Sequence, residues 1–357
     1  MILKGKRVLV TGGTGSMGKT FVRRALSGEF GLPQKLVVLS RDEAKQHDMR
    51  VEYLNRKSAT DEVIFKNFER ILSFRIGDVR RYEDLVASLP GIDIVINAAA
   101  LKQVPVCEYF PEQAILTNCM GAQNLARAIH EHRFPVETVV GISTDKACKP
   151  VNVMGMTKAL QERIFIAANV NSPGTRFICV RYGNVLASRG SVIPLFHEQI
   201  RAGGPVTITD ENMTRFLLSL DQAVDTVMAA IENALPGETY IPIVPSANMV
   251  NVAKSLVGDL KIPIKVTGIR PGEKLHESLV SIEESYRTYR RDGYYVIQSM
   301  LPELLATQAK RSRDLIGEYS SENHVVDFEQ TSTLLRQHRL MLDQVEESGS
   351  QGQEMLR

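Results

Sequence analysis

The side chains best suited to do chemistry in this chain stand together at Ser143-Thr144-Asp145-Lys146. An acid and a base on adjacent residues can serve two neighbouring carbons of one substrate, one giving a proton and the other taking one. A second lysine, Lys158, follows Met154-Gly155-Met156-Thr157. A lysine acts as a base only when its pKa is lowered, and burial or a second cation lowers it. For Lys146, Lys158 would be that cation. The pattern points to proton abstraction coupled to elimination.

Such residues need a scaffold. Val139-Val140-Gly141-Ile142 reads as a buried strand running into the acid–base pair, and residues 153–168 carry helical periodicity. Comparable apolar runs occupy 7–11, 35–39, 72–76, 92–97, 138–142 and 176–180, nearly continuous as in parallel strands covered on both faces. Segments 19–26, 82–88 and 114–132 between them are helical in pattern. This alternation implies an α/β fold, a Rossmann-type doubly wound parallel sheet whose ligands collect at the carboxyl ends of the strands. After Asn184 the elements shorten among Gly203-Gly204-Pro205, Pro236-Gly237 and Pro271-Gly272, as in a smaller mixed α/β lobe. The expected division is a nucleotide domain over 1–183, to which later segments return, a substrate lobe over 184–300 and a C-terminal extension over 301–357. The Gln/Glu/Ser-rich end from about Glu346 reads as disordered.

A dinucleotide site is expected at Thr11-Gly12-Gly13-Thr14-Gly15-Ser16-Met17-Gly18, directly after the first strand. Glycines at 12, 15 and 18 permit a tight turn and close approach of a pyrophosphate to a helix N-terminus. The second strand ends at Ser40-Arg41. An acid there would bind a ribose diol, whereas Arg41 and Lys45 suit a 2′-phosphate and favour NADP; Asp42 beside them leaves NAD open. Asp78 and Val79, after the third strand, fit an adenine contact. Ala98, Ala99 and Ala100, after the fourth, are small enough for backbone to lie against a cofactor.

Composition excludes other classes. The 357 residues carry a net charge of +2, with 43% hydrophobic and 24% charged side chains, ordinary for a soluble globular protein. Basic residues are scattered rather than clustered with aromatics, which argues against nucleic acid. No apolar run approaches the roughly 20 residues of a membrane helix, and the N-terminus lacks a signal-peptide core. Cys107, Cys119, Cys148 and Cys179 show no C-x-x-C spacing and read as reduced thiols, so a soluble cytoplasmic protein is expected. No His/Cys/Asp cluster has metal spacing.

On such a scaffold short-chain dehydrogenases carry Tyr-x-x-x-Lys; here Met154 stands at the tyrosine position and Lys158 is kept. TGGTGSMG, SRDEAKQ, GDVRRYEDL, NAAALKQVP, STDKACKPVNVMGMTKALQE, RYGNVLASRGSVIPLF, MTRFLLSL and GIRPGEKLHE occur in order. Together, over about residues 3–300, they resemble the UDP-N-acetylglucosamine 4,6-dehydratases of the extended short-chain dehydrogenase/reductase family, which make precursors of bacterial surface sugars. The resemblance implies that Asp145 is the acid for the C6 hydroxyl and Lys146 the base at C5. It implies that Lys158 holds the nicotinamide ribose and that Thr144 positions the C4 hydroxyl. It places Lys102 at the sugar, and Asn184, Arg215, Arg270 and Glu273 at the UDP moiety. It further implies inversion at C5 and a homo-oligomer, a dimer or a hexamer. A UDP-sugar 4-epimerase, a C5-retaining dehydratase and a noncatalytic NADP-binding sensor are the alternatives. Met154 and the Asp145–Lys146 pair count against the epimerase, and retention of Asp145, Lys146 and Lys158 counts against the sensor.

Overall fold

The computed structural model describes residues 1–54, 59–186, 191–305 and 313–347. Six parallel strands form its centre: β1 (Arg7–Thr11), β2 (Lys35–Ser40), β3 (Leu72–Ile76), β4 (Ile94–Asn97), β5 (Thr138–Thr144) and β6 (Arg176–Tyr182). They lie in the order β3-β2-β1-β4-β5-β6 within a nine-stranded sheet. The chain reverses its winding direction between β1 and β4, which is where a doubly wound sheet opens a crevice. The expected α/β doubly wound sheet is the observed fold. Thr239–Pro242 then pairs parallel to β6, and the antiparallel hairpin Thr288–Arg291/Tyr294–Ile297 completes the sheet on that side.

The near-continuous apolar strands follow from burial on both faces. Val8, Val10, Leu36, Val38, Ile94, Ile96, Val140 and Ile178 face one core with helix Ser16–Leu26 and helix Leu220–Asn233. Leu9, Val37, Leu39, Val95, Val139 and Phe177 face the other, with helices Gly121–His132 and Val153–Asn171. At ~25 cal/mol per Å² of apolar surface, these two layers are the main source of the fold's stability.

Two of the strands run past their apolar stretches. β5 and β6 each continue for two polar residues, Ser143-Thr144 and Arg181-Tyr182. Ser143 donates to Glu162, and the fully enclosed Arg181 is paired with Glu162 at 2.6 Å and Glu284 at 2.8 Å. Those partners make burial of polar strand ends tolerable. The helical segment expected over 114–132 is Pro111–Ala114, a π-helical turn Ile115–Met120 and helix Gly121–His132. Asn118 on the π turn binds both the N–H and the C=O of Leu101 and donates to Thr157.

A separate apolar cluster, including Ile193, Phe196, Val206, Met213, Leu217, Val252 and Leu256, forms the core of the later lobe. Leu335 and Leu340 from the C-terminal extension belong to it. Helix Leu342–Glu347 includes the first two residues of the stretch expected to be disordered; residues 348–357 lie outside the described part. Among the described residues no helix is long and apolar enough to cross a membrane.

Candidate active site

The last turn of β5 builds the centre of the site. Thr144 caps a single 3-10 turn, Asp145–Ala147; its hydroxyl donates to Asp145 Oδ1 at 2.8 Å and accepts from the Lys146 N–H at 3.4 Å. Asp145 is wholly buried, and its Oδ2 is buried with no hydrogen-bond partner among the described residues. Lys146 Nζ lies 3.1 Å from Asp145 Oδ1, 3.2 Å from Asn184 Oδ1 and 3.1 Å from Glu277 Oε1. Asn184, expected at the UDP moiety, stands instead on Lys146, beside the Thr144, Asp145 and Lys146 that the sequence pattern grouped. That pattern did not identify Glu277, which closes the GIRPGEKLHE motif and is 2% exposed. The signal that could have found it is the second acid of that motif, four residues after Glu273.

The charge state of Lys146 differs from expectation. Burial works to lower its pKa, but the Asp145 and Glu277 carboxylates outweigh both burial and the nearby Arg215 cation, so the pKa is raised. Lys146 therefore rests as an ammonium. The lowering falls on Lys158 instead: burial pulls its amine down to about 8, opposed by the Glu162 charge. Its Nζ donates to the Ile142 carbonyl at 2.5 Å and to Gln161 at 2.8 Å, which fixes Lys158 beneath the end of β5.

Helix Val153–Asn171 is held against this turn by its first residues. Asn152 caps it by accepting the Gly155 N–H at 2.8 Å, and donates to the Gly272 carbonyl at 2.8 Å. A Cβ on Gly155 would stand 2.2 Å from the Lys146 carbonyl oxygen, so only glycine lets helix and turn approach this closely. Met154 is 4% exposed and packs with Cys107 and Ala114, against Leu101 and Val104. Its thioether lines the loop after β4, on which Lys102 is exposed.

The later lobe supplies the rest. Gly183 admits strand Thr214–Phe216, because a Cβ there would lie 2.8 Å from the Phe216 Cβ. The 8%-exposed Arg215 donates to the carbonyls of Thr214, Leu275 and Lys274. Arg270 is exposed, and Glu273 accepts the Arg270 N–H at 3.5 Å within their own turn, a loop-shaping contact.

The glycine loop fits a dinucleotide. Gly12 has φ +65°, and a Cβ on it would stand 2.7 Å from the Ala99 backbone. The loop therefore lies flat on the Ala98–Ala100 segment. A Cβ on Gly18 would meet Gly13 at 2.5 Å, so helix and loop are in close contact. Helix Ser16–Leu26 follows Gly15 at its N-cap with no side-chain cap hydrogen bond, as suits a helix start that takes an anion. Met17 packs beneath against the core, and Thr14 meets Ser40 at 3.1 Å. Arg41 is exposed at the end of β2, whereas Lys45 is paired with Asp42 at 2.5 Å. Asp78 is bound by Arg80, whose guanidinium outweighs burial and holds the carboxyl below its usual range; Val79 packs on Gly121. Among the described residues no group of His, Cys, Asp and Glu could hold a metal ion.

The family described as "Polysaccharide biosynthesis protein" matches residues 8–299. The chain belongs to that family. A protein of Rickettsia conorii named UDP-glucose 4-epimerase is 41% identical over 96% of this chain and 97% of its own length. A protein of Campylobacter jejuni named UDP-N-acetylglucosamine 4,6-dehydratase (inverting) is 40% identical over 90% of this chain and 94% of its own. The solved structure of Pen from Bacillus thuringiensis is 32% identical and superposes with a TM-score of 0.83, covering 96% of this chain and 100% of Pen. The resemblance read from the ordered motifs is borne out at this level. The relatives divide between two named activities, so the family places the chain among nucleotide-sugar dehydratases and epimerases.

Proposed function

We propose that this protein removes water from UDP-N-acetylglucosamine across C5 and C6, yielding a UDP-2-acetamido-2,6-dideoxy-4-keto-hexose with C5 inverted. The carrying observation is the Thr144–Asp145–Lys146 cluster at the carboxyl end of β5, with Met154 where a phenol would stand. The glycine loop, Ala98–Ala100 and Lys158 would hold a nicotinamide dinucleotide, NADP by the exposed Arg41, which would supply reversible hydride acceptance between C4 and C6. Arg215 and Arg270 favour a diphosphate nucleotide.

The chain's own groups account for the protons that leave C4 and C5 and for the one lost with the C6 hydroxyl, and water supplies the proton that returns to C5 from the opposite face. Thr144 holds the C4 hydroxyl and passes its proton to Asp145, its hydrogen-bond partner; a thioether could not. Asp145, now a carboxylic acid, gives that proton to the departing C6 hydroxyl. Lys146 takes the C5 proton, which the new C4 ketone acidifies. A buried turn excludes water while these transfers occur.

The epimerase reading is the second one, favoured by the name of the R. conorii relative. It needs an acid–base group at C4 alone, a task Thr144 and Asp145 could meet, and leaves Lys146 without a role. Incubation with UDP-N-acetylglucosamine and UDP-glucose decides between them. A product lighter by one water supports the dehydratase, and an isomer of unchanged mass overturns it.

Assembly with further copies of this chain is part of the same reading. Tyr109, Ile115, Leu116 and Met120 are exposed on helical turns, with Phe110 exposed between them, and these turns pack against the helix that carries the exposed Met156 and Leu160. Apolar exposure on adjacent helices favours a homo-oligomer.

A further inference from the structure

Lys146 presents a difficulty for its own chemistry. It rests as an ammonium, yet an amine is needed at C5. Asp145 cannot resolve this alone, because it must hold the proton destined for the C6 hydroxyl. The second carboxylate on Lys146 is Glu277, with Oε1 3.1 Å from Nζ. Its other oxygen, Oε2, is buried without a hydrogen-bond partner among the described residues and lies 3.9 Å from Lys274 Nζ.

We propose that Glu277 is the positioning residue and proton acceptor of Lys146, taking one proton from the ammonium and freeing the amine that abstracts the C5 proton. This rests on Lys146 being the C5 base. In the step, an N–H bond of Lys146 breaks and an O–H bond forms on Glu277. The nitrogen lone pair then takes the C5 proton, and the C–H electrons enter the enolate of the C4 ketone. Lys146, again an ammonium, releases the C5 proton to water as product leaves and takes back the one held by Glu277, so the pair ends as it began. Four charged groups bear on this exchange: Asp145 on the same turn, Glu277, Arg215 from strand Thr214–Phe216 and Lys274 beside Glu277.

Two features make the transfer feasible. The Lys146 side chain is about one-fifth exposed while Glu277 is almost wholly buried, so a bound sugar would remove the last water from the ammonium. Loss of solvent disfavours the ion pair relative to the neutral pair. Glu277 is also held firmly. Its N–H donates to Ser321 Oγ at 3.0 Å, and the Ser321 N–H donates to its carbonyl at 2.8 Å. Ser321 is fully buried and also meets Thr214 Oγ1 at 2.8 Å, so the C-terminal extension fixes Glu277 and the Arg215 strand together.

The test is Glu277→Gln, which keeps the shape but cannot take a proton. C5–H exchange into deuterium oxide is measured from pH 6.5 to 9 in the full chain with cofactor and UDP-N-acetylglucosamine. An internal transfer makes exchange nearly independent of pH in the parent. In Glu277→Gln it should fall at least ~10²-fold at pH 7 and then rise about tenfold per pH unit, because Lys146 must lose its proton to solvent. Glu277→Asp should restore a flat profile at reduced rate. Exchange in Glu277→Gln at the parent rate, or lowered equally at every pH, overturns the proposal. If the parent itself shows no C5 exchange, the dehydratase reading fails, and direct labelling still tests the contact. Competitive acetylation of Lys146 read by peptide mass should then show a lower titration midpoint in Glu277→Gln; an unchanged midpoint overturns it.

Discussion

Replacing Gly155 by alanine sets two effects against each other. Alanine exceeds glycine in helix propensity by about 1 kcal/mol, so local structure alone favours a more stable protein. The structure opposes this, because the added Cβ would stand 2.2 Å from the Lys146 carbonyl oxygen, a backbone atom. An ordinary carbon–oxygen contact needs about 1 Å more than that. The helix start or the Lys146 turn must yield by about that distance, at ~1–3 kcal/mol for overpacking. The net expectation is a loss of ~0–2 kcal/mol in stability and, from a misplacement of about 1 Å at the catalytic turn, a ~10²-fold loss in turnover. Urea unfolding and initial rates measure the two. Gly174→Ala is the control, since a Cβ there meets nothing within 4 Å. Parent-like turnover in Gly155→Ala would refute the account of how helix and turn are fixed.

Other perturbations test separate parts of the site. Lys146→Ala should abolish C5–H exchange and water loss while leaving UDP-sugar affinity within a few-fold; exchange at the parent rate removes Lys146 from the mechanism. Asp145→Asn should slow water loss at least ~10²-fold, read by product mass. Arg41→Ala should weaken NADP far more than NAD in equilibrium binding, and equal losses would remove its 2′-phosphate role. Lys158, lowered to about 8 from an unfolded value of ~10.4, binds fewer protons folded than unfolded between those values. Stability relative to Lys158→Met should therefore rise by up to about 3 kcal/mol as pH goes from 8 to 10.5, and be flat below 8. Urea midpoints across that range check the sign.

Much of this was legible in the sequence because it depends on local pattern. The bounds of β1 and β3 follow from apolar runs flanked by turn residues, and the glycine loop follows from spacing alone. The polar ends of β5 and β6 were not legible, since Ser143 and Arg181 stay in strand only through Glu162 and Glu284, distant in sequence. The π turn at Ile115–Met120 keeps the apolar pattern of a helix and shows itself only through the contacts of Asn118. Asp145 and Lys146 were visible as an adjacent pair, but the charge of Lys146 was not. It is raised by Asp145 and Glu277 together, and Glu277 is carried to Lys146 by the pairing of Ser278–Val280 with Tyr319–Ser320 in the C-terminal extension.

The central claim is that hydride leaves C4 and returns to C6 while water departs. UDP-N-acetylglucosamine carrying deuterium at C4 tests this most directly, with the purified protein and its cofactor and the product read by mass and NMR. The account gives a product lighter by one water with the deuterium at C6. Deuterium retained at C4 in a sugar of unchanged mass would contradict it.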